Sequence, residues 1–314
     1  RLGERVVAVV EADESFDLAE CRRWFTEQGA TKFTWPERVV LAGAIPIAMK
    51  PDAAEIANIG FGSGLTTHAL LGSTRARVVD TIEIESAMVE GARAFGARNA
   101  RAYDDPRSRI HIEDAKTFFA SHAKTYDIIV SEPSNPWVSG VSTLFSAEFY
   151  GEVRNHLKDD GLLVQWIQSY DINVDLLASV FKALYRVGMS DLLVVAGKGP
   201  ALPPLSARVF ELPGIAADLA TLGYRELGDL EALRIAGRRS IEPLFARSPY
   251  PANSDFFPIL DQQAPRARFK GESAAELHAM RDGLVPILAL LDGDSRTPLA
   301  RLHRTGLLGP GLIG

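Results

Sequence analysis

Residues 56–64 read Ile56-Ala-Asn-Ile-Gly-Phe-Gly-Ser-Gly64, an apolar run that ends at Ile59 and passes directly into a cluster of three glycines. A helix-like segment, Thr66–Leu71, and a second apolar run, Arg77–Glu83, follow it. Strand, glycine turn, helix and strand in this order predict a β-α-β unit. The glycines let the backbone turn tightly and approach a nucleotide-like ligand, whose polar groups would meet the start of the helix.

The same alternation of helix-like and strand-like segments continues to about residue 196. The successive segments are Ser86–Phe95, Ile110–Ile112, Lys116–His122, Tyr126–Val130, Ser146–Leu157, Gly161–Trp166, Val174–Tyr185 and Leu192–Ala196. The mainly apolar run Tyr126–Val130 is typical of a strand buried on both faces of a parallel sheet. The pattern predicts an α/β fold with a doubly wound, mostly parallel, Rossmann-like sheet.

Outside this region the pattern weakens, which divides the chain into three segments. Residues 1–44 form a lead-in strand and helix element, residues 45–200 a nucleoside-binding catalytic domain, and residues 201–314 a mainly helical extension. The elements predicted in the flanking segments are a strand at Arg5–Val10 and helices at Asp13–Gln28, within 214–235, at 272–293 and at 297–307.

Composition excludes several classes of protein. Apolar residues make up 46% of the 314 residues and charged residues 24%, values typical of a folded globular protein. Because 34 basic residues face 40 acidic ones, the net charge of −6 provides no general attraction to nucleic acid or to an anionic membrane. With one cysteine, Cys21, and six histidines without ligand spacing, we expect no metal site and a reducing, cytoplasmic location.

The sequence predicts no membrane contact by this segment itself. The apolar stretch Val39–Met49 contains Pro46 and is far shorter than the roughly 20 residues that span a bilayer. The chain begins at Arg1 without a leader-like sequence, so we interpret it as a segment of a longer polypeptide.

Glu83 is the first candidate ligand-binding acid. It ends a predicted strand and follows Gly64 by 19 residues, about where an acid binds ribose hydroxyls in dinucleotide-binding folds. The nicotinamide motif G-x-G-x-x-G would place glycine where Leu65 stands, which disfavours an NAD-dependent oxidoreductase. The alternative is a glycine turn that only connects a strand to a helix.

Asp114 is the second candidate acid, directly after the predicted strand Ile110–Ile112. There it would accept a hydrogen bond from an adenine amino group. It would equally well cap the helix that begins near Lys116, and the two roles are compatible.

Glu132 is the third candidate acid and follows the buried strand Tyr126–Val130 in the loop Ser131–Trp137. Two prolines stiffen this loop, which lowers the entropic cost of holding Glu132 and Asn135 over a cleft. The alternative is a rigid connection in which Trp137 only packs. Because the carboxyl ends of parallel strands meet at one edge of a sheet, we favour a chemical role for Glu132.

With these motifs in this order, the sequence resembles the spermidine-synthase group of the class I S-adenosylmethionine-dependent methyltransferase fold. The similar stretch runs from about Ile45 to Ala196 and includes Pro46, Ile56–Gly64, Glu83-Ile-Glu85, Glu113-Asp-Ala115, Tyr126–Glu132, Leu144–Tyr150 and Gly161–Gln165. It is most similar to bacterial domains that are often fused behind a membrane-spanning region, which share Glu132-Pro-Ser-Asn-Pro-Trp137 and a loop like Asn253-Ser-Asp255.

The resemblance implies an aminopropyltransferase of polyamine biosynthesis, which uses decarboxylated S-adenosylmethionine as a co-substrate, a small-molecule amine as the acceptor and no metal. The implied site has catalytic residues Glu132 and Asn135 and nucleoside-binding residues Gly60, Gly62, Ser63, Gly64, Glu83, Asp114 and Ala115. In this family Glu83 would bind the ribose and Asp114 the adenine, while Glu132 would orient the amine and take its proton, or neutralise a cationic substrate.

Three departures from the family concern the groups that hold the two amines. Synthases carry aspartate where Ser63 and Asn135 stand, and Tyr-Gln-Glu where Arg38-Val-Val40 stands. Each lost charge-assisted contact is worth roughly 1.5–3 kcal/mol, so we expect weaker binding of the usual donor amine and of a diamine.

Two alternative functions follow from these departures and from the fold. A methyltransferase would use intact S-adenosylmethionine, whose carboxylate Ser63 does not repel. A catalytically silent domain would sense a nucleoside or a polyamine for an attached membrane region. The resemblance further implies a homodimer, located in the cytoplasm or at the cytoplasmic face of a membrane.

Overall fold

The computed structural model describes residues 37–133, 135–138, 140–168, 170–184, 187–190, 193–199, 201–236 and 245–274. These residues form two compact units that are interleaved along the chain. The sheet unit comprises residues 37–133, 153–166 and 198–230, and the second unit comprises the described residues of 134–152, 167–197 and 231–274.

Several predicted elements lie outside the described residues. They are the strand Arg5–Val10, the helix Asp13–Gln28, the helix 297–307 and all but the first residues of the helix 272–293. The division into segments 1–44, 45–200 and 201–314 therefore stays a prediction.

The sheet unit is built on five parallel strands in the spatial order β3-β2-β1-β4-β5. Their bounds are β1 Glu55–Ile59, β2 Val78–Glu83, β3 Ser108–Ile112, β4 Tyr126–Ser131 and β5 Leu157–Trp166. The chain runs outward from β1 to β3 and then returns to β4 on the other side of β1. The strand order therefore reverses between β1 and β4, which is where open α/β sheets bind their ligands.

Burial explains why these segments form a parallel sheet. Every residue of β4 is buried, and so are the last four residues of β1, as expected of strands covered by helices on both faces. The helices of this part of the chain are α1 Glu37–Met49, α2 Leu65–Leu71, α3 Ser86–Gly91, α4 Arg101–Asp104, α5 Ala115–Ser121 and α6 Ala147–Asn155. The predicted Rossmann-like α/β fold is confirmed for these elements.

Helix α1 was not predicted, because the apolar stretch Val39–Met49 was weighed only as a possible membrane span. The structure forms the helix with Pro46 inside it and buries residues 41–48. A Cβ atom on Gly43 would lie 2.8 Å from the Cβ atom of Ala69 in α2, so the absence of that atom lets the two helices pack closely. Burial of its apolar side chains stabilises α1 despite the hydrogen bond lost at the proline. Among the described residues, no helix is both long and apolar enough to cross a membrane.

After β5 the elements become mixed. They are α7 Val174–Ala183, β6 Val187–Ser190, β7 Leu193–Gly197, α8 Pro213–Thr221, α9 Leu227–Glu231, β8 Arg234–Ala236 and α10 Ile259–Phe269. In the second unit β6 pairs antiparallel with both β7 and β8. The predicted elements at 174–185 and 192–196 are confirmed as α7 and β7. The one or two short helices predicted within 214–235 are the two helices α8 and α9, whereas β6, β8 and α10 were not predicted.

The loop that contains Asn253 is held by its buried side chain. The amide Nδ2 of Asn253 donates to the carbonyl oxygens of Ser142 (3.1 Å) and Phe145 (3.0 Å), and its Oδ1 accepts from the backbone N–H of Leu260 (3.1 Å). Because Asn253 is only 1% exposed, these bonds have little competition from water. The Asn253-Ser-Asp loop of the sequence is therefore a structural junction of the second unit.

Asp127 ties the amino ends of three neighbouring strands together. Its Oδ2 accepts hydrogen bonds from the backbone N–H groups of Ala54 (3.0 Å) and Glu55 (2.9 Å) and from the ammonium of Lys158 (2.7 Å). Burial alone would raise the pKa of Asp127, but these three donors outweigh it and lower the pKa to about 2. The ionised carboxylate therefore stabilises the folded state.

We expect Asp127→Asn to lower the free energy of unfolding at pH 7 by about 2 kcal/mol. The depressed pKa gives stability that is complete above the unfolded value of about 4 and is lost as the pH falls from about 4 to about 2. Urea unfolding across this range should show the loss in the parent chain and a flatter profile in the variant. The control is Asp159→Asn, whose side chain is fully exposed. Equal stabilities of the two variants would contradict the assignment.

Candidate functional site

The glycine turn after β1 allows the ends of β1 and β4 to meet. Gly60 has a φ of +91°, and a Cβ atom there would lie 2.5 Å from the carbonyl oxygen of Glu132. The backbone N–H of Glu132 donates to the carbonyl of Ile59 (2.8 Å), which extends the β1–β4 pairing past the last strand residues. Any side chain at Gly60 would force these two backbones apart, so the position requires glycine.

The buried amide of Asn99, which was not predicted as a site residue, fixes the second half of the turn. Asn99 is 1% exposed, and its Nδ2 donates to the carbonyl oxygens of Ser63 (2.8 Å) and Ala92 (2.7 Å). Gly64 has a φ of +75°, and a Cβ atom there would lie 2.9 Å from the ring of Phe61. The turn is therefore rigid before any ligand binds. No motif in the sequence marks Asn99, because its bond to Ser63 joins residues 36 positions apart.

Glu83 lies beside this turn, as predicted. Its Oε2 accepts a hydrogen bond from the backbone N–H of Phe61 (2.8 Å), and its Oε1 accepts one from the backbone N–H of Glu85 (3.0 Å). The two bonds fix the orientation of the carboxylate at the carboxyl end of β2. Each carboxylate oxygen can accept more than one hydrogen bond, so Glu83 keeps the capacity to bind hydroxyl groups.

Asp114 caps helix α5, which was one of its two predicted roles. Its Oδ1 accepts from the backbone N–H (2.9 Å) and the hydroxyl (3.2 Å) of Thr117. Among the described residues, Oδ2 of Asp114 has no hydrogen-bonding partner, and the side chain is exposed. Ala115 is buried behind it. The cap orients Asp114 and leaves one oxygen for a ligand, so the second role stays a prediction.

Two exposed apolar side chains accompany these acids and were not singled out in the sequence. Ile84 is 69% exposed and follows Glu83 directly, and Ile112, which ends β3, is 53% exposed. β2 and β3 pair side by side, with Glu83 opposite Ile112. Large apolar side chains in water at adjacent strand ends are typical of a surface that a flat apolar group covers.

Glu132 reaches the turn with its side chain as well as its backbone. Its Oε2 accepts a hydrogen bond from the hydroxyl of Thr66, in the first turn of α2. The half-buried carboxylate of Glu132 thus lies between the ends of β1 and β4, where the strand order reverses. The backbone of Glu132 packs closely against Gly60. Glu132 was predicted at this edge of the sheet, whereas Thr66 was not, because a threonine in a helix has no distinctive pattern.

Asn135, the other predicted catalytic residue, belongs to the second unit. It is 6% exposed, and the Tyr170 hydroxyl lies 3.5 Å from its Oδ1, at the long limit of a hydrogen bond. The ring of Tyr170 lies 6.3 Å from that of Trp137, over which the Arg268 guanidinium is placed at 5.1 Å. The joint action of Glu132 and Asn135 stays a prediction.

The structure thus brings together the glycine turn, Glu83 and Glu132 of the predicted site. In the described ranges, no group of three or more His, Cys, Asp or Glu side chains could hold a metal ion.

Comparison with known proteins identifies the same region. Residues 41–195 match the family model described as "Spermine/spermidine synthase domain". The polyamine aminopropyltransferase of Clostridium perfringens is 31% identical over 157 residues, which are 49% of this chain and 55% of the relative. That of Methanocaldococcus jannaschii is 26% identical over 163 residues, 52% of this chain and 55% of the relative. The chain therefore spans about half the length of the curated relatives it matches.

Solved structures give a weaker likeness. The crystal structure of spermidine synthase from Thermotoga maritima has a TM-score of 0.46 and 20% sequence identity, with coverage of 61% of this chain and 75% of that one.

We expect Gly60→Ala to destabilise the protein more than Gly223→Ala. Both positions have nearly the same φ, +91° and +88°, but a Cβ atom at Gly223 has no neighbour within 4 Å. The backbone strain of roughly 1–2 kcal/mol is then common to both variants, while the contact with Glu132 costs a further ~1–3 kcal/mol in Gly60→Ala alone. Denaturant unfolding measures the difference. Equal losses would show that the close approach at Gly60 is not needed.

Proposed function

Since residues 41–195 match the spermine/spermidine synthase family model, we propose that the protein is a transferase that moves an aminopropyl group from decarboxylated S-adenosylmethionine to a small amine. The observation that carries this proposal is the convergence of Glu83 and Glu132 on one rigid glycine turn. The carboxylate of Glu83 accepts a hydrogen bond from the backbone N–H of Phe61, and the backbone of Glu132 packs against Gly60.

The adenosine part of such a donor fits the edge formed by β1, β2 and β3. Glu83 is fixed by two backbone donors and has lone pairs left for the two ribose hydroxyls. Ile84 and Ile112 offer apolar surface for the adenine ring, and Oδ2 of Asp114 offers an acceptor for its amino group. Gly60, Gly62, Ser63 and Gly64 would border the nucleoside, with Ala115 behind the base.

Glu132 is proposed as the general base that accepts the proton of the amine. The attacking amine nitrogen forms a bond to the carbon next to the sulfonium, and the carbon–sulfur bond breaks with its electron pair going to sulfur. The products are methylthioadenosine and an alkylated ammonium, whose proton passes to Glu132. A carboxylate held at the switch point can orient the amine for this in-line displacement and accept that proton.

The acceptor is proposed to differ from a plain diamine. Asn135 is neutral and 6% exposed, at a position where the resemblance implies an aspartate. An amide can donate and accept hydrogen bonds but does not neutralise an ammonium, so residue 135 does not supply a negative charge for the second ammonium of a diamine. A monoamine, or an amine with a polar uncharged end, is the better fit.

From the family resemblance we also propose that the protein forms a homodimer and is located in the cytoplasm.

Two alternative functions of the site are methyl transfer from intact S-adenosylmethionine and nucleoside sensing without turnover.

We expect Glu132→Gln to lower kcat by at least about 10²-fold and to change the affinity for methylthioadenosine by no more than about 3-fold, because the amide cannot take a proton. Product analysis by mass spectrometry with each donor separates the functions. Methylthioadenosine indicates aminopropyl transfer, S-adenosylhomocysteine indicates methyl transfer, and nucleoside binding with neither product indicates a sensor.

We expect Glu83→Gln to weaken methylthioadenosine binding by about 10- to 100-fold, because the variant loses charge-assisted hydrogen bonds to the ribose. Isothermal titration calorimetry measures this directly. The control for both glutamate variants is Glu90→Gln, since Glu90 is 72% exposed and pairs with Arg93 on the surface of the same unit. Unchanged affinity in Glu83→Gln would contradict the proposed ribose site.

A further inference from the structure

The hydroxyl of Thr66 has two acceptors for one hydrogen. Its Oγ1 lies 3.1 Å from the carbonyl oxygen of Val39 in α1 and also within hydrogen-bonding distance of Oε2 of Glu132. A hydroxyl carries a single hydrogen and two lone pairs, so it can donate to only one of these oxygens at a time. Thr66 is 1% exposed, which leaves little access for water to complete the arrangement.

The protonation state of Glu132 decides which acceptor receives the hydrogen. When Glu132 is ionised, the Thr66 hydroxyl must point at the carboxylate, because two oxygens without a hydrogen between them would repel each other. When Glu132 is protonated on Oε2, its own O–H donates to Oγ1 of Thr66. The Thr66 hydrogen then turns to the carbonyl of Val39, and every group keeps a partner.

We propose that Thr66 is a positioning residue that keeps Glu132 hydrogen-bonded, and in place, both before and after it accepts a proton. This inference rests on the proposed function, in which the proton comes from the amine nitrogen as the nitrogen–carbon bond forms. The proton ends on Oε2 of Glu132. The Thr66 hydroxyl only rotates about its Cβ–Oγ1 bond, so no proton reaches Val39 and the charges balance.

The packing of α1 on α2 places the carbonyl that this exchange needs. A Cβ atom on Gly43 would lie 2.8 Å from the Cβ atom of Ala69 and 3.1 Å from the carbonyl oxygen of Thr66, so the helices are in backbone contact one turn from Val39. A side chain at this position would push α1 away from Thr66. The position of the second acceptor therefore depends on how closely α1 packs on α2.

The test replaces the hydroxyl and then restores it. We expect Thr66→Val and Thr66→Ala each to lower kcat by about 10-fold or more, while the KM for the amine and the affinity for methylthioadenosine stay within about 3-fold of the parent chain. Thr66→Ser, which regains the hydroxyl, should recover kcat to within about 3-fold. A role in folding alone would not separate kcat from KM in this way.

The matched control is Thr67→Val. Thr67 is the next residue of α2 and is equally buried, but its hydroxyl bonds to Thr81 (2.8 Å) and accepts from Asn58 (3.2 Å), away from Glu132. This variant should keep the kcat of the parent chain to within about 3-fold, even if it unfolds at a lower temperature. A loss of kcat in Thr67→Val equal to that in Thr66→Val would overturn the inference.

A measurement without turnover separates this inference from the proposed function. The infrared carboxylate band that disappears in Glu132→Gln should shift in Thr66→Val and return in Thr66→Ser, whether or not any amine is alkylated. If the parent chain transfers no group but the band shifts, the proposed function fails and the hydrogen bond stands. If the band is the same in Thr66→Val as in the parent chain, the inference is overturned.

Discussion

The site depends on the close approach of two backbones at the point where the sheet reverses its strand order. A Cβ atom at Gly60 would meet the carbonyl oxygen of Glu132 at 2.5 Å, so the end of β4 lies against the end of β1 only because residue 60 is glycine. This contact fixes the height of Glu132 above the sheet. It also brings the Glu132 carboxylate to Thr66, in the helix that the same turn begins.

Hydrogen bonds from side chains to backbone keep this arrangement rigid. Glu83 accepts a hydrogen bond from the backbone N–H of Phe61 in the turn. The amide of Asn99 donates one to the carbonyl oxygen of Ser63. Both side chains make hydrogen bonds to the backbone of the turn, so the turn is already ordered before a ligand binds. A site assembled in advance loses less entropy when it binds a ligand.

The departures from the resembled family concern groups that would hold amines. Ser63 and Asn135 stand where the resemblance implies acids, whereas Glu83 is fixed beside the glycine turn by two backbone donors. Glu132 is the acid of the loop Ser131–Trp137, and its carboxylate accepts a hydrogen bond from Thr66.

Local pattern determined the five parallel strands, the glycine turn and the positions of Glu83, Asp114 and Glu132. These follow from sequence because strand burial and glycine turns are properties of neighbouring residues, and because the carboxyl ends of parallel strands share one edge. Helix α1, Asn99 and the partnership of Thr66 with Glu132 and Val39 were decided by tertiary structure alone. The bonds of Thr66 to Val39 and Glu132 and of Asn99 to Ser63 join residues 27 to 66 positions apart, and no local pattern records such contacts.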